Sequence, residues 1–121
     1  MADFHNLGQK GEDLATEHLR KNGYKILKRN WKAGRHEVDI IAENKEFLVF
    51  VEVKTRSEDF IMEPSLAVNR DKQRSLEYLA DSYIKWNNVN KECRFDIITV
   101  IIKDDSYDIN HIEAAFYPTL R

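Results

Sequence analysis

The run Phe47-Leu48-Val49-Phe50-Val51-Glu52-Val53-Lys54 is apolar at nearly every position and then turns charged. Side chains alternate across a strand, so Leu48 and Phe50 line one face while Val49, Val51 and Val53 line the other. A strand that is apolar on both faces must be covered on both, which makes it a central strand between two packed layers. Glu52 and Lys54 fall on the face of Leu48 and Phe50. Charges there belong at the strand's end or in a cavity, because burying an unpaired carboxylate is costly.

The rest of the chain supplies those layers. From Asn6 to Lys21, the residues Leu7, Gly11, Leu14, Ala15, His18 and Leu19 recur at helical spacing, and Gly23 is a stop signal. Tyr24–Asn30 reads as a short strand that is basic at its polar positions. His36–Glu43 and Glu46–Arg56 read as two strands joined in a hairpin over Asn44 and Lys45. Glu63-Pro64-Ser65 marks a turn. A second helix is predicted from Asn69 to Trp86, with Leu76, Leu79, Ala80, Tyr83 and Ile84 as its apolar stripe. Arg94–Ile102 reads as a buried strand and Tyr107–Phe116 as an edge strand. The order α-β-β-β-α-β-β predicts an α/β fold, a mixed central sheet flanked by helices. A chain of 121 residues is one domain's worth, 1–121.

Composition narrows the function classes. Four Gly and two Pro exclude collagen-like and low-complexity chains. The longest near-continuous apolar runs, Phe47–Val51 and Ile97–Ile102, fall far short of the ~20 residues a membrane helix needs. Met1-Ala2-Asp3-Phe4-His5 turns polar at once, unlike a secretory signal, and the single Cys93 excludes an internal disulfide and a Cys-based zinc site. The expectation is a cytoplasmic protein with no membrane partner. A net charge of −2 means that any nucleic-acid binding comes from a local patch.

Carboxylates carry the chemistry. Glu37 and Asp39 share a face of their strand, and a hairpin loop of even length puts Asp39 and Glu52 on one face of the pair. Lys54 then lies beside both and supplies their counter-charge. Gly8, Glu12, Ala15 and Leu19 recur at helical spacing, which turns Glu12 toward the sheet and leaves Asp13 and Glu17 as solvated acids. An acid on a buried stripe needs a partner, a lysine or a metal ion. Crowded carboxylates repel, and Mg²⁺ or Mn²⁺ relieves this through oxygen ligation. Such an ion polarises a phosphodiester oxygen and acidifies a bound water, while an adjacent lysine steadies charge on phosphorus. Glu-x-Lys alternating with valines is also common on solvent-facing strands, so Asp39 and Glu12 carry the weight of this reading.

Between Arg20 and Arg35 stand seven basic residues and no acid, interleaved with Tyr24 and Trp31. Arg29, Lys32 and Arg35 within this run suit a phosphate-tracking surface, and equally an edge strand guarded against aggregation. Arg56 and Lys72 lie nearer the acids and are further nucleic-acid contacts, or else ion-pair partners of Glu52 or Asp96. His5, His18, His36 and His111 show no ligand spacing and read as structural or exposed. Phe47, Phe50, Tyr83 and Phe95 read as core.

Gly8-x-x-Gly11-Glu12-x-x-Ala15, Gly23-Tyr24-x-Ile26-Leu27-x-Arg29-Asn30-Trp31, Glu37-Val38-Asp39-Ile40-Ile41-Ala42 and Phe50-Val51-Glu52-Val53-Lys54-Thr55-Arg56 together resemble the YraN-type family of bacterial proteins. Ala67-Val68 with Lys72-Gln73, and Arg94-Phe95-Asp96, extend the resemblance over nearly the whole chain. That family is similar to archaeal Holliday-junction resolvases and belongs with the PD-(D/E)xK nucleases. The resemblance implies a restriction-endonuclease-like fold, with Asp39, Glu52 and Lys54 in the superfamily's core motif and Glu12 as the helix-one acid. It implies a Mg²⁺- or Mn²⁺-dependent endonuclease acting on DNA rather than RNA, at branched or structured sites. A non-catalytic nucleic-acid-binding module with a vestigial site is the alternative. Resolvases of this fold act as dimers, so a homodimer is one assembly the resemblance allows. His36 departs from the family's usual Gly and is expected on the face opposite Glu37 and Asp39.

Overall fold

The computed structural model describes residues 4–58 and 69–117. The turn expected at Glu63-Pro64-Ser65, and Ala67-Val68, lie outside the described residues. The elements are α1 (Phe4–Lys21), β1 (Lys25–Ala33), β2 (His36–Glu43), β3 (Phe47–Ser57), α2 (Arg70–Asn87), β4 (Glu92–Ile102) and β5 (Tyr107–Phe116). This is the α/β order expected, with β1 running on to Ala33 where the sequence suggests an end at Asn30. No helix among the described residues is long and apolar enough to cross a membrane.

Local chemistry sets the boundaries. Gly23 takes φ 88°, a left-handed conformation that glycine adopts freely, and the Tyr24 N–H closes back on Leu19 O at 3.0 Å. In the β2–β3 hairpin the Asn44 Oδ1 accepts from the N–H groups of Glu46 and Phe47 at 2.9 and 2.7 Å. Asn69 caps α2 by accepting from Lys72 N, and Asn88 ends it in the left-handed region with its N–H on Ile84 O.

The five strands form one sheet in the order β1-β2-β3-β4-β5. The first three are antiparallel neighbours, α2 carries the chain across so that β4 runs parallel to β3, and β5 returns antiparallel. Strand β3 is central and covered on both faces. Leu48 and Phe50 pack with Leu76, Leu79 and Tyr83 of α2, while Val49 and Val51 pack with Ala15 and Leu19 of α1. Each such fully buried aliphatic or aromatic side chain contributes about 1.5–3 kcal/mol. The α1 side is tight: a Cβ on Gly11 would stand 1.9 Å from Thr55 Oγ1 and 2.7 Å from Thr55 Cβ. That closeness seats the next residue, Glu12, against the sheet.

Candidate active site

The faces of β1 and β2 exchange partway along. Trp31 and Val38, paired in register, pack on the α2 side. One step further, Ile40 packs on the α1 side, and its register partner Arg29 reaches Glu12 of α1. The residues at the exchange are Asn30, with φ 52°, and Asp39 opposite it. Asparagine tolerates that left-handed geometry better than most side chains do. The simple alternation that would pair Glu37 with Asp39 therefore does not run through this point. The β2–β3 ladder also stops here, its last pair being Ile40 and Val51. Beyond it, Asp39 Oδ2 accepts the Val53 N–H at 2.7 Å, standing in for a ladder carbonyl.

Asp39 and Glu52 meet at this splay. Asp39 shares a cavity of about 270 Å³ with Gly8, Glu12, Val53, Thr55 and Arg56. The Glu52 side chain is 16% exposed, and Lys72 Nζ of α2 lies 3.5 Å from its Oε1. That contact is close enough for charge attraction without being a hydrogen bond. The buried Oε1 has no hydrogen-bond partner among the described residues. Burial, then the neighbouring Glu52 charge, push Asp39 up to about 6, against the pull of the Val53 N–H and Lys72. An orphaned carboxylate oxygen beside a second, strained carboxylate is a donor set that fits a hard divalent cation, which takes one or two carboxylates and keeps waters. Among the described residues, no three His, Cys, Asp or Glu side chains stand already gathered around one point for an ion.

Glu12 faces the sheet as its stripe implies, 13% exposed. Its partners are an arginine and an amide rather than a lysine: Arg29 Nε at 3.0 Å and Asn30 Nδ2 at 2.9 Å donate to Oε1. Asp13 is exposed and takes Arg29 Nη2 at 2.8 Å, while Glu17 pairs with Arg20 on the surface. Lys54 is half-buried on β3, opposite Thr99 of β4. The counter-charge that the sequence assigns to Lys54 is supplied to Glu52 by Lys72, through the ion pair weighed above as the alternative for that lysine. Arg56 walls the Asp39 cavity and donates from Nη1 to Thr55 O at 2.7 Å.

The basic run spans the end of α1, the edge strand β1 and the turn that follows it. Lys32 on β1 and Arg35 in the β1–β2 turn are exposed, whereas the Arg29 guanidinium is committed to Glu12 and Asp13. Trp31 sits edge-on between Tyr83 and Trp86 of α2, with centroids at 5.3 and 5.7 Å, and Trp86 is 72% exposed. Phe50, Tyr83 and Phe95 are core, as expected. His36 turns to α2, with Nδ1 at 2.8 Å from Ser75 Oγ.

A second polar cluster escaped sequence reasoning. Buried Asp96 receives Arg94 Nε and Nη2, each at 2.9 Å, the Ala114 N–H at 3.0 Å, and His111 Nε2 at 2.7 Å. Here too an aspartate fills a ladder irregularity, since the β4–β5 register shifts between Phe95 and Ile97 and Ala114 has φ 51°. An aspartate amid apolar Arg94–Ile102 was the available signal.

The chain matches the uncharacterised protein family UPF0102 over residues 11–100. It is 44% identical to a UPF0102 protein of Parabacteroides distasonis over 121 residues, covering all of both chains. It is 43% identical to one of Bacteroides thetaiotaomicron over 120 residues, 99% of each chain, and 43% identical to one of Flavobacterium psychrophilum over 117 residues, 97% of this chain and 98% of that one. With a match over most of its length and relatives of the same size and elements of the expected order, the chain belongs to the UPF0102 family.

Proposed function

We propose that this protein is a Mg²⁺- or Mn²⁺-dependent endonuclease that hydrolyses phosphodiester bonds in DNA, with branched or structured DNA as its substrate class. The observation that carries the reading is the buried Glu52 Oε1, which has no hydrogen-bond partner among the described residues, beside an Asp39 carboxyl held up at about 6. Two acids kept in this tension gain most from a divalent cation. When bound, that cation supplies Lewis acidity and an acidified water.

The chain's own residues do the rest. Asp39 and Glu52 hold the ion, and Glu12 assists from the wall of the cavity it shares with Asp39. Lys54 orients the attacking water and balances charge developing on phosphorus. Arg56 takes substrate phosphate at the cavity wall, with Lys32 and Arg35 on the exposed edge and Lys72 on α2 extending the basic path. Arg29 serves the site by fixing Glu12.

A second reading is favoured by one contact, the Lys72–Glu52 ion pair. If that pair is structural, the protein is a nucleic-acid-binding module that does not turn over. Incubation with linear, branched and single-stranded DNA and RNA in Mg²⁺, Mn²⁺ or EDTA tests both. The nuclease cleaves with metal, and Glu52→Gln is inert. Independently of activity, Mg²⁺ or Mn²⁺ raises the melting temperature of the wild type and not of Glu52→Gln. No cleavage and no metal-dependent melting shift would leave the binding module standing.

A further inference from the structure

His18 of α1 and His111 of β5 stand in contact at the wall of a cavity of about 540 Å³ that is also lined by Asn22, Tyr24 and Glu113. None of these residues lines the Asp39 cavity. His18 Nε2 lies 3.3 Å from His111 Nδ1, with the rings edge-on at 72°. The opposite nitrogen of His111, Nε2, is 2.7 Å from Asp96 Oδ2.

That second contact fixes the chemistry of the first. An ionised carboxylate only accepts, so His111 Nε2 carries the proton and Nδ1 presents its lone pair to His18. The Asp96 carboxylate is itself locked by Arg94 and the Ala114 N–H, which leaves His111 little freedom to rotate. A buried carboxylate behind a histidine whose other nitrogen points into a cavity is the arrangement that orients histidines on metal ions. The 3.3 Å separation is that of a hydrogen bond at the long end of the range. Two imidazoles on one tetrahedral ion at about 2.0–2.1 Å stand about 3.3–3.4 Å apart. Glu113 lies two residues along from His111, its side chain 60% exposed and its Oε1 3.8 Å from Arg94 Nη1. It lines the same cavity as the two rings.

We propose that His18 and His111 bind a borderline transition-metal dication, Zn²⁺ foremost, with Glu113 as third protein ligand and water completing the shell. Imidazole nitrogen selects against Mg²⁺, so this site and the Asp39–Glu52 site differ in the metal they take. Its role is a clasp between the end of α1 and the edge strand β5.

The full chain, stripped with a chelator, is titrated with Zn²⁺ by calorimetry, with histidine ring ¹⁵N resonances followed in parallel. The expected result is one Zn²⁺ bound with micromolar or tighter affinity, shifts at the His18 and His111 ring nitrogens, and a higher melting temperature. Losing an outer-sphere partner weakens metal sites about 10–100-fold, so loss of a ligand in His18→Gln costs about a hundredfold or more. Glu113→Gln keeps an oxygen donor and loses only its charge, so it costs less, about tenfold. Zinc binding that survives His18→Gln, or wild-type ring nitrogens unmoved at millimolar Zn²⁺, overturns the site and leaves an ordinary hydrogen bond. Should His18→Gln fail to fold, the wild-type ring spectra and exposed Glu113→Gln decide.

Discussion

Asp39 and Asp96 do the same structural job with opposite proton bookkeeping. Each accepts a backbone N–H where a ladder is irregular, but Asp39 sits beside another acid and Asp96 beside Arg94 and His111. Burial, followed by the charge of Glu52, raises Asp39 to about 6, above its unfolded value of about 3.9. Its contribution to stability is therefore full below the unfolded value and is lost as pH rises through about 6. Without divalent metal, Asp39→Asn should melt close to wild type near roughly pH 4 and above it near roughly pH 8, as read by thermal denaturation across pH. Glu52→Gln removes the like charge, so the Asp39 carboxyl should titrate below about 6 when followed by NMR. Burial also pushes Asp96 up, but the bonds from His111, Arg94 and the Ala114 N–H outweigh it and hold the group below its usual range. Its stabilisation is present above the unfolded value and is lost as pH falls through the lower folded one.

Among elements, the seating of α1 on β3 decides where Glu12 stands. Gly11→Ala improves intrinsic helix propensity by about 1 kcal/mol. The added Cβ would nevertheless meet Thr55 Cβ, which cannot swing aside, at 2.7 Å. Overpacking of this kind costs about 1–3 kcal/mol, so we expect net destabilisation in chemical denaturation, together with loss of any Glu12-dependent activity. The helices and strands were legible because their signals are periodic: the Leu76-Leu79-Ala80-Tyr83 stripe and the two-faced β3 both appear as read. Glu12 was legible for the same reason. The exchange of faces at Asn30 and Asp39 was not, since it turns on one positive φ that no spacing encodes. The Lys72–Glu52 ion pair was legible as one alternative for that lysine, but spacing could not rank it above Lys54, because α2 and β3 meet only through tertiary packing. His18 and His111 lie 93 residues apart, on elements that only the folded sheet brings together.

For the molecule as a whole, a net charge of −2 means that any nucleic-acid binding falls to one basic edge. Lys32→Ala should weaken binding evenly across sequences and reduce the salt slope by about one, if that exposed lysine meets a phosphate. Arg29→Ala should instead lower the melting temperature by freeing Glu12 and Asp13, with little change in slope. Salt-titrated binding and melting of the two variants separate these outcomes. Strand order in the sheet follows chain order, so each ladder joins sequence neighbours, and the long closure is the one from Ser57 of β3 to Glu92 of β4 through α2. That step costs the most loop entropy and comes late. Asp39 and Glu52 belong to the early hairpin, while Lys72 arrives with the crossover. A folding chain thus brings its two acids together in the hairpin before the α2 lysine that pairs with Glu52 has docked beside them.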